Sequence, residues 1–282
     1  MNKILVPTDF SDPSAWAVEV ATDIALQSKT SIHLLHVIEG PPDQSFNTTG
    51  EWELTNGWEE KLFTVAIIKK SLKDLEIAAQ QVEARGVKAE VSLRMGTPHE
   101  EINSIASDGS FGLIVMGTQS HDHLGRLLNG SNTEKAINNS RCPVLAVHEQ
   151  PTAKAYKSIV YATNVSHEER SFSNVLKHVQ KLYDSTIHLV RVNTKSNFMP
   201  DRQSRLQMQT FVKQLELTNY TINILNDETE EEGILYFADY INADLISIAS
   251  HAHSGVVSLL TRGIARGVVN SSKRPVLTYL TD

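Results

Sequence analysis

The sequence predicts an α/β protein made of two tandem doubly wound domains, and three observations carry that prediction. The chain repeats itself. KILVPTDFSD (3–12) matches SIVYATNVSH (158–167), and IHLLHV (32–37) matches IHLVRV (187–192), both at an offset of 155 residues. Further along, LIVMGTQSH (113–121) falls on LISIASHAH (245–253) and RCPVLAV (141–147) on KRPVLTY (273–279), now at an offset of 132, so the first copy holds 23 more residues after its second strand. Short apolar runs such as ILV and LIVM alternate with amphipathic stretches, and uninterrupted runs suit strands covered by helices on both faces. The two domains are expected at 1–149 and 150–282.

Each element of the first copy follows from local pattern. The run at 3–7 reads as the first strand. A helix is expected over 13–27, with Pro13 suited to a first turn and Asp9 and Ser11 ahead of it as caps. The next strand is expected at 31–37. GPPDQSFNTTGEWELTNGWEE (40–60) is polar and punctuated by Gly and Pro, so it reads as a long loop that absorbs the extra residues. Trp52 and Trp58 would lie in that loop, covering a neighbouring groove or a partner surface. A helix over 60–85, a strand at 88–93, a helix over 98–107, a strand at 113–117, a helix over 131–140 and a strand at 143–147 complete the copy. In the second copy, the acidic run Asp227 to Glu232 reads as a solvated helix start.

Composition narrows the function. With 40% hydrophobic and 21% charged residues, the profile is that of a globular protein. A net charge of −7 argues against general nucleic-acid binding, which needs a basic excess to release counterions. The single cysteine, Cys142, excludes an internal disulfide and fits a reducing compartment; ahead of a proline at a strand start, it reads as a buried structural thiol. MNKILVPTDF lacks the apolar core of a signal peptide, and no run approaches a membrane span. A cytoplasmic protein is expected.

In doubly wound folds, ligands sit beyond the carboxyl ends of the strands where strand order reverses. After the first strand come Pro7, Thr8 and Asp9. The Asp9 carboxylate can accept from a ribose hydroxyl or an adenine amine, or it can cap the helix behind it. Val37, after the second strand, can wall a base or pack in the core. The fourth strand ends at Met116 and Gly117, and the chain then loops through Ser120 until Gly130 and Ser131 open a helix. Ser131 and Glu134 form the S-x-x-E pattern of a capping box. A helix N-terminus favours an anion, and Gly130 lets a phosphate approach the backbone. A phosphate seat and a plain helix cap both fit these residues.

The stretch 113–147 resembles the signature region of the universal stress protein family, whose nucleotide binders carry G-x2-G-x9-G-[ST] before a helix and a CPVL strand. Here the pattern runs Gly117, Ser120, Gly130 and Ser131, then Cys142-Pro143-Val144-Leu145. ILVPTDFS is similar to the family's first strand, with its nucleotide-contacting Asp on Asp9. The resemblance implies a five-stranded parallel sheet in each domain, of the adenine-nucleotide alpha hydrolase-like type, and pairing of domains through their last strands. It also implies ATP, ADP or a related nucleotide as a regulatory ligand in stress response. Asp9 would hold ribose or base, Val37 would line the adenine, and Gly117, Gly130, Ser131 and the Asn132 amide would hold phosphates. Ser120 stands where the nucleotide binders have glycine, and at positive φ it would cost about 1 kcal/mol.

The second copy departs further. Asp9 maps to Asn164, Gly117 to Ala249, Ser120 to Ala252, Gly130 to Arg262, Ser131 to Gly263 and Glu134 to Arg266. A degenerate site is expected there, with Arg262 and Arg266 at a solvated helix start. His121 and His123 recur as His251 and His253, which would supply metal nitrogens only if the loops converged. No G-x-S-x-G elbow, P-loop, C-x-x-C pair or H-E-x-x-H motif is present, so turnover is expected to be at most slow ATP hydrolysis. Partners expected are an adenine nucleotide, a homodimer mate and an unidentified protein. The alternative reading is a nucleotide-free structural or interaction module with internally paired domains.

Overall fold

A computed structural model describes residues 3–39, 58–118, 132–150, 155–165, 169–251 and 256–281. The first repeat runs β1 (Lys3–Pro7), α1 (Asp12–Ser28), β2 (Ile32–Ile38), α2 (Trp58–Ala84), β3 (Ala89–Met95), α3 (Pro98–Ala106), β4 (Phe111–Gly117), α4 (Asn132–Asn139) and β5 (Val144–Val147). The second runs β6 (Ser158–Ala162), α5 (Arg170–Tyr183), β7 (Thr186–Asn193), α6 (Asp201–Leu215), β8 (Tyr220–Asn226), α7 (Glu230–Tyr240), β9 (Leu245–His251), α8 (Val256–Ser271) and β10 (Val276–Thr281). The first-copy elements expected from periodicity lie within a residue or two of these bounds.

All ten strands form one sheet in the order β3-β2-β1-β4-β5-β10-β9-β6-β7-β8. Within each repeat every pairing is parallel. The exception is the seam, where β5 and β10 pair antiparallel with Leu145 opposite Leu277. Those leucines are equivalent at the offset of 132, so the local pseudo-twofold passes between them. A last strand edge left bare would invite another chain, and the pairing removes that edge from both domains.

Strand alternation sorts the core into two layers. Ile4, Val6, Leu113, Leu145, Leu245 and Leu277 face α1, α2, α5 and α6. Leu5, Ile114, Met116, Ala146, Ile246 and Val276 face α3, α4, α7 and α8. The run ILV is buried at all three positions because helices cover both faces. In α1 the buried Ala17, Val20, Ala21, Ile24 and Ala25 recur at helical spacing, and Lys29 in the left-handed conformation ends the helix. Thr229 opens α7: its hydroxyl oxygen accepts from the Glu232 amide at 3.1 Å and donates to the Glu232 carboxylate at 2.9 Å. The acidic run is therefore a capped helix start, as read from the sequence.

Two expectations need correction. The extra residues of the first copy do not all belong to a loop: α2 has 27 residues and its counterpart α6 has 15. Trp58 begins α2 rather than lying in the loop; Trp52 lies outside the described residues. Among the described residues no helix is long and apolar enough to cross a membrane.

Candidate functional site

Strand order reverses between β1 and β4, so their carboxyl ends meet at the switch point of the first domain. The turn after β1 is tied down atom by atom. The Thr8 amide donates to Leu35 O at 2.8 Å, the Phe10 amide donates to Thr8 Oγ1 at 3.1 Å, and the Thr8 and Ser14 hydroxyls share a bond of 3.0 Å. His36 Nδ1 donates to the Thr8 carbonyl at 2.7 Å, while its ring lies against Phe10 with centroids 4.6 Å apart. This network holds Phe10 at a φ of 64°, a conformation non-glycine residues rarely adopt.

The strained turn presents Asp9 on the surface. Asp9 Oδ1 accepts from the Ser11 amide at 3.0 Å and from the Ser11 hydroxyl. Partial burial would raise the pKa of this carboxyl, but hydrogen bonds from Ser11, Ser14 and the local main chain together outweigh it and hold Asp9 below the usual carboxylate range. Asp9 is thus an ionised acceptor, one oxygen engaged in the turn ahead of α1. The N-cap of α1, Ser11, receives no side-chain cap bond, so Asp9 closes the turn before the helix and does not cap it as the sequence suggested.

The neighbouring strand ends differ in character. Pro7 is half-buried and Thr8 buried. Val37 is partly buried against the α3/α4 layer, and Met116 lies within that core at 4% exposure, so only its main chain is placed at the strand end. Gly117 is required by packing: a Cβ there would lie 2.2 Å from the Pro13 carbonyl carbon and oxygen. The start of α1 crosses directly over the end of β4. From the other side, the Thr133 hydroxyl donates to Gly117 O at 3.1 Å, docking the first turn of α4 on the strand end, with Asn132 half-buried beside it. Ser120, Gly130 and Ser131 lie outside the described residues, as do His121, His123 and His253.

Glu134 is not confined to its own helix start. Its carboxylate crosses the seam to α8, accepting from Asn270 Nδ2 at 2.7 Å and pairing with Arg266 at 3.0 Å. Cys142 is the buried thiol expected from its position; its Sγ lies 3.7 Å from Phe111 O, and burial pushes its pKa up to about 12.

The equivalent place in the second domain is built from other chemistry. Arg191 stands where His36 does and donates to Asn164 O at 3.4 Å. Burial lowers the Arg191 pKa, and the Glu230 carboxylate opposes that shift. Glu230 also accepts from Asn164 Nδ2 at 3.3 Å and from Asn197 Nδ2 at 2.5 Å. Glu169, in the place of Ser14, is buried and accepts from Tyr161 Oη at 2.5 Å and Thr163 Oγ1 at 2.6 Å. What remains between these groups and Ala249 is a cavity of about 30 Å³, room for little more than one water. The sequence reading missed Glu169, Arg191, Asn197 and Glu230. Carrying the 155-residue offset past Asn164 would have exposed the first two.

A second difference corrects the expectation for Arg262 and Arg266. Both lie inside α8, which begins at Val256, and not at a helix start. The described part of its counterpart, α4, begins at Asn132, the position equivalent to Ile264. Backbone amides around Arg262 and Gly263 are therefore helix-interior donors, already bonded to the preceding turn and unable to turn toward an anion.

Comparison with known proteins follows the two repeats. The model of the family described as "Universal stress protein family" matches residues 1–148 and again 155–279. Universal stress protein MJ0531 of Methanocaldococcus jannaschii is 32% identical over 146 residues, 52% of this chain and 81% of its own. Universal stress protein YxiE of Bacillus subtilis is 32% identical over 146 residues, 52% of this chain and 98% of its own. A universal stress protein structure from Archaeoglobus fulgidus superposes with a TM-score of 0.77 at 23% identity, covering 99% of this chain and 98% of that one. That likeness carries the tandem fold.

Proposed function

The chain belongs to the universal stress protein family, and on that premise we propose that its first domain binds ATP, ADP or a related nucleotide as a regulatory ligand in a cytoplasmic stress response. The observation that carries this reading is the contrast between the two switch points. The first presents an exposed, ionised Asp9 near the end of β4 at Gly117. At the second, Arg191 donates to Asn164 O, Asn164 donates to Glu230, and Asn164 and Glu230 line a cavity of only about 30 Å³. In the proposed complex Asp9 accepts from ribose or base, Val37 walls the adenine, and Gly117, Gly130, Ser131 and the Asn132 amide meet the phosphates. Ser120 donates from its hydroxyl in place of the space a glycine would leave. Pro7, Thr8 and Met116 set the strand ends through their backbones. The domain units are taken as 1–149 and 150–282.

Isothermal titration tests the proposal. One ATP per chain is expected, with affinity lost in Gly130→Arg, which reproduces the second repeat. Absence of heat at millimolar ATP would overturn it.

One observation favours a second reading, a nucleotide-free interaction module with internally paired domains. Pro13 packing accounts for Gly117 without any phosphate. Under this reading the protein releases no nucleotide on denaturation, and mass spectrometry of the released small molecules separates the two.

A further inference from the structure

The sheet has two outer strands, β3 and β8, and they are guarded differently. On β3, Glu90 is ion-paired with Lys3 and Lys88, and Arg94 stands further along the same strand. A strand added there would have to strip water from these charges, the usual protection of an open edge. The opposite edge lacks that protection. β8 reads YTINILN, seven residues without a charge, a proline or a glycine.

Hydrogen bonds fix which way the main chain of β8 faces. Asn219 O accepts from Ile187 N at 3.1 Å and Asp227 N donates to Asn193 O at 3.0 Å, so the odd-numbered residues serve β7. Tyr220, Ile222, Ile224 and Asn226 therefore turn their N–H and C=O groups to the free edge. Arg205 Nη1 reaches Ile222 O there at a long 3.4 Å. Arg205 from α6 and Tyr236 and Tyr240 from α7 wall a groove of about 240 Å³ along this edge. The two tyrosine rings stack with centroids 6.3 Å apart while 60% and 76% exposed, large aromatic surface that the chain itself leaves uncovered. Tyrosine in such a place is characteristic of interfaces.

A second copy of β8 meets every one of these groups. Run antiparallel about a twofold at Asn223, Ile222 faces the partner's Ile224 and Tyr220 faces the partner's Asn226. All four outward-facing residues are then paired, each pair exchanging both of its main-chain bonds. The strand has no charge to oppose a like charge, and the twofold brings each Tyr236–Tyr240 stack toward its equivalent on the partner's α7. Pairing with β3 of another copy would instead set Glu90 and Arg94 against a strand with no counter-charge. The protein already joins its own repeats in this mode, edge to edge and antiparallel with equivalent residues facing, at the β5–β10 seam. We infer that two copies of this chain associate through β8, continuing the sheet across a twofold at Asn223. A single strand pair with its flanking tyrosines is small beside the interface of a permanent dimer, so the association is reversible and depends on concentration. It uses no residue of the nucleotide site proposed above and stands or falls independently of it.

Sedimentation velocity of the full chain, without nucleotide, tests the inference. The unmodified protein is expected to pass from monomer to dimer as its concentration rises through the micromolar range. Asn223→Lys and Asn223→Asp each place like charges opposite one another at the twofold and abolish the dimer. An equimolar mixture of the two restores it, since lysine then faces aspartate. Asn223 Nδ2 also donates to Leu189 O at 3.1 Å, so melting curves establish that both variants are folded. Should they fail to fold, Tyr240→Ser on the exposed face of α7 weakens the dimer about tenfold, the loss of one interface aromatic. A monomer at every concentration overturns the inference, as does a dimer that survives in folded Asn223→Lys and in Tyr240→Ser. A mixture that stays monomeric overturns the twofold at Asn223.

Discussion

Glu134 and Arg266 occupy the same position in the two repeats and meet each other across the seam, with Arg266 Nη2 3.0 Å from Glu134 Oε2. A position near a twofold axis faces its own equivalent, so in a symmetric pairing identical residues would meet there. Two glutamates or two arginines would repel. Divergence to opposite charges in a single chain converts that repulsion into attraction and makes the heterologous pairing specific.

The first prediction follows from this pair. Glu134 is buried while the Arg266 side chain is about half exposed, so solvent screens part of the attraction and Arg266→Ala is expected to cost about 1 kcal/mol. The charge-swapped double variant Glu134→Arg with Arg266→Glu recovers part of what each single reversal loses. Urea denaturation of the four proteins measures the coupling. Additive losses in the double variant would show that the pair contributes nothing.

Gly117→Ala is expected to destabilise the first domain by about 1–3 kcal/mol, because the new methyl collides with the Pro13 main chain and must push α1 off the strand end. The reverse change in the second repeat, Ala249→Gly, is expected to cost about 1 kcal/mol or less. Thermal denaturation compares the two.

His148 predicts an acid limb in stability. It is 4% exposed and lies next to the seam. Burial lowers its pKa to about 4, partly offset by the main chain of Val269 and Arg274. Between the unfolded value near 6.5 and the folded value, the unfolded chain binds the extra proton. Stability is therefore fully present above about pH 6.5 and falls as pH drops toward 4, by roughly 3 kcal/mol in all. His148→Phe should flatten that limb in denaturation curves run across the interval. An unchanged slope would assign the acid sensitivity to other groups.

For the proposed nucleotide site, Asp9→Asn reproduces the residue of the second repeat and removes the ionised acceptor. ATP affinity is expected to fall about tenfold, the scale of one charged hydrogen bond. Asn164→Asp creates no second site, because Arg191 and Glu230 remain in place and α8 keeps its amides bonded. Calorimetric stoichiometry separates the outcomes: two ATP per chain for Asn164→Asp would contradict the filled second site.

Much of the architecture was legible because its signals are local. A buried parallel strand shows as a run such as ILV, α1 shows as apolar residues at helical spacing behind Pro13, and the repeat shows as two offsets. Asp9 and Gly117 stood out for the same reason, as residues at strand ends. The pattern misplaced Trp58 and Arg262, since a helix that continues past its expected start leaves little mark in composition. It carried no sign that Arg266 and Asn270 of the other domain engage the Glu134 carboxylate.

The one-dimensional pattern alone yields the alternating elements, the two repeats and the unequal wear of their strand ends, because each element is written in short spacings and the repeat is the same short signals met a second time. The seam belongs to three dimensions. That Leu145 meets Leu277, that Glu134 finds Arg266, that Arg191 and Glu230 fill the second switch point and that β8 is left at the edge of the sheet all depend on atoms brought together from distant segments. Side chains acquire such partners only when the sheet closes, and no periodicity records which partner that will be.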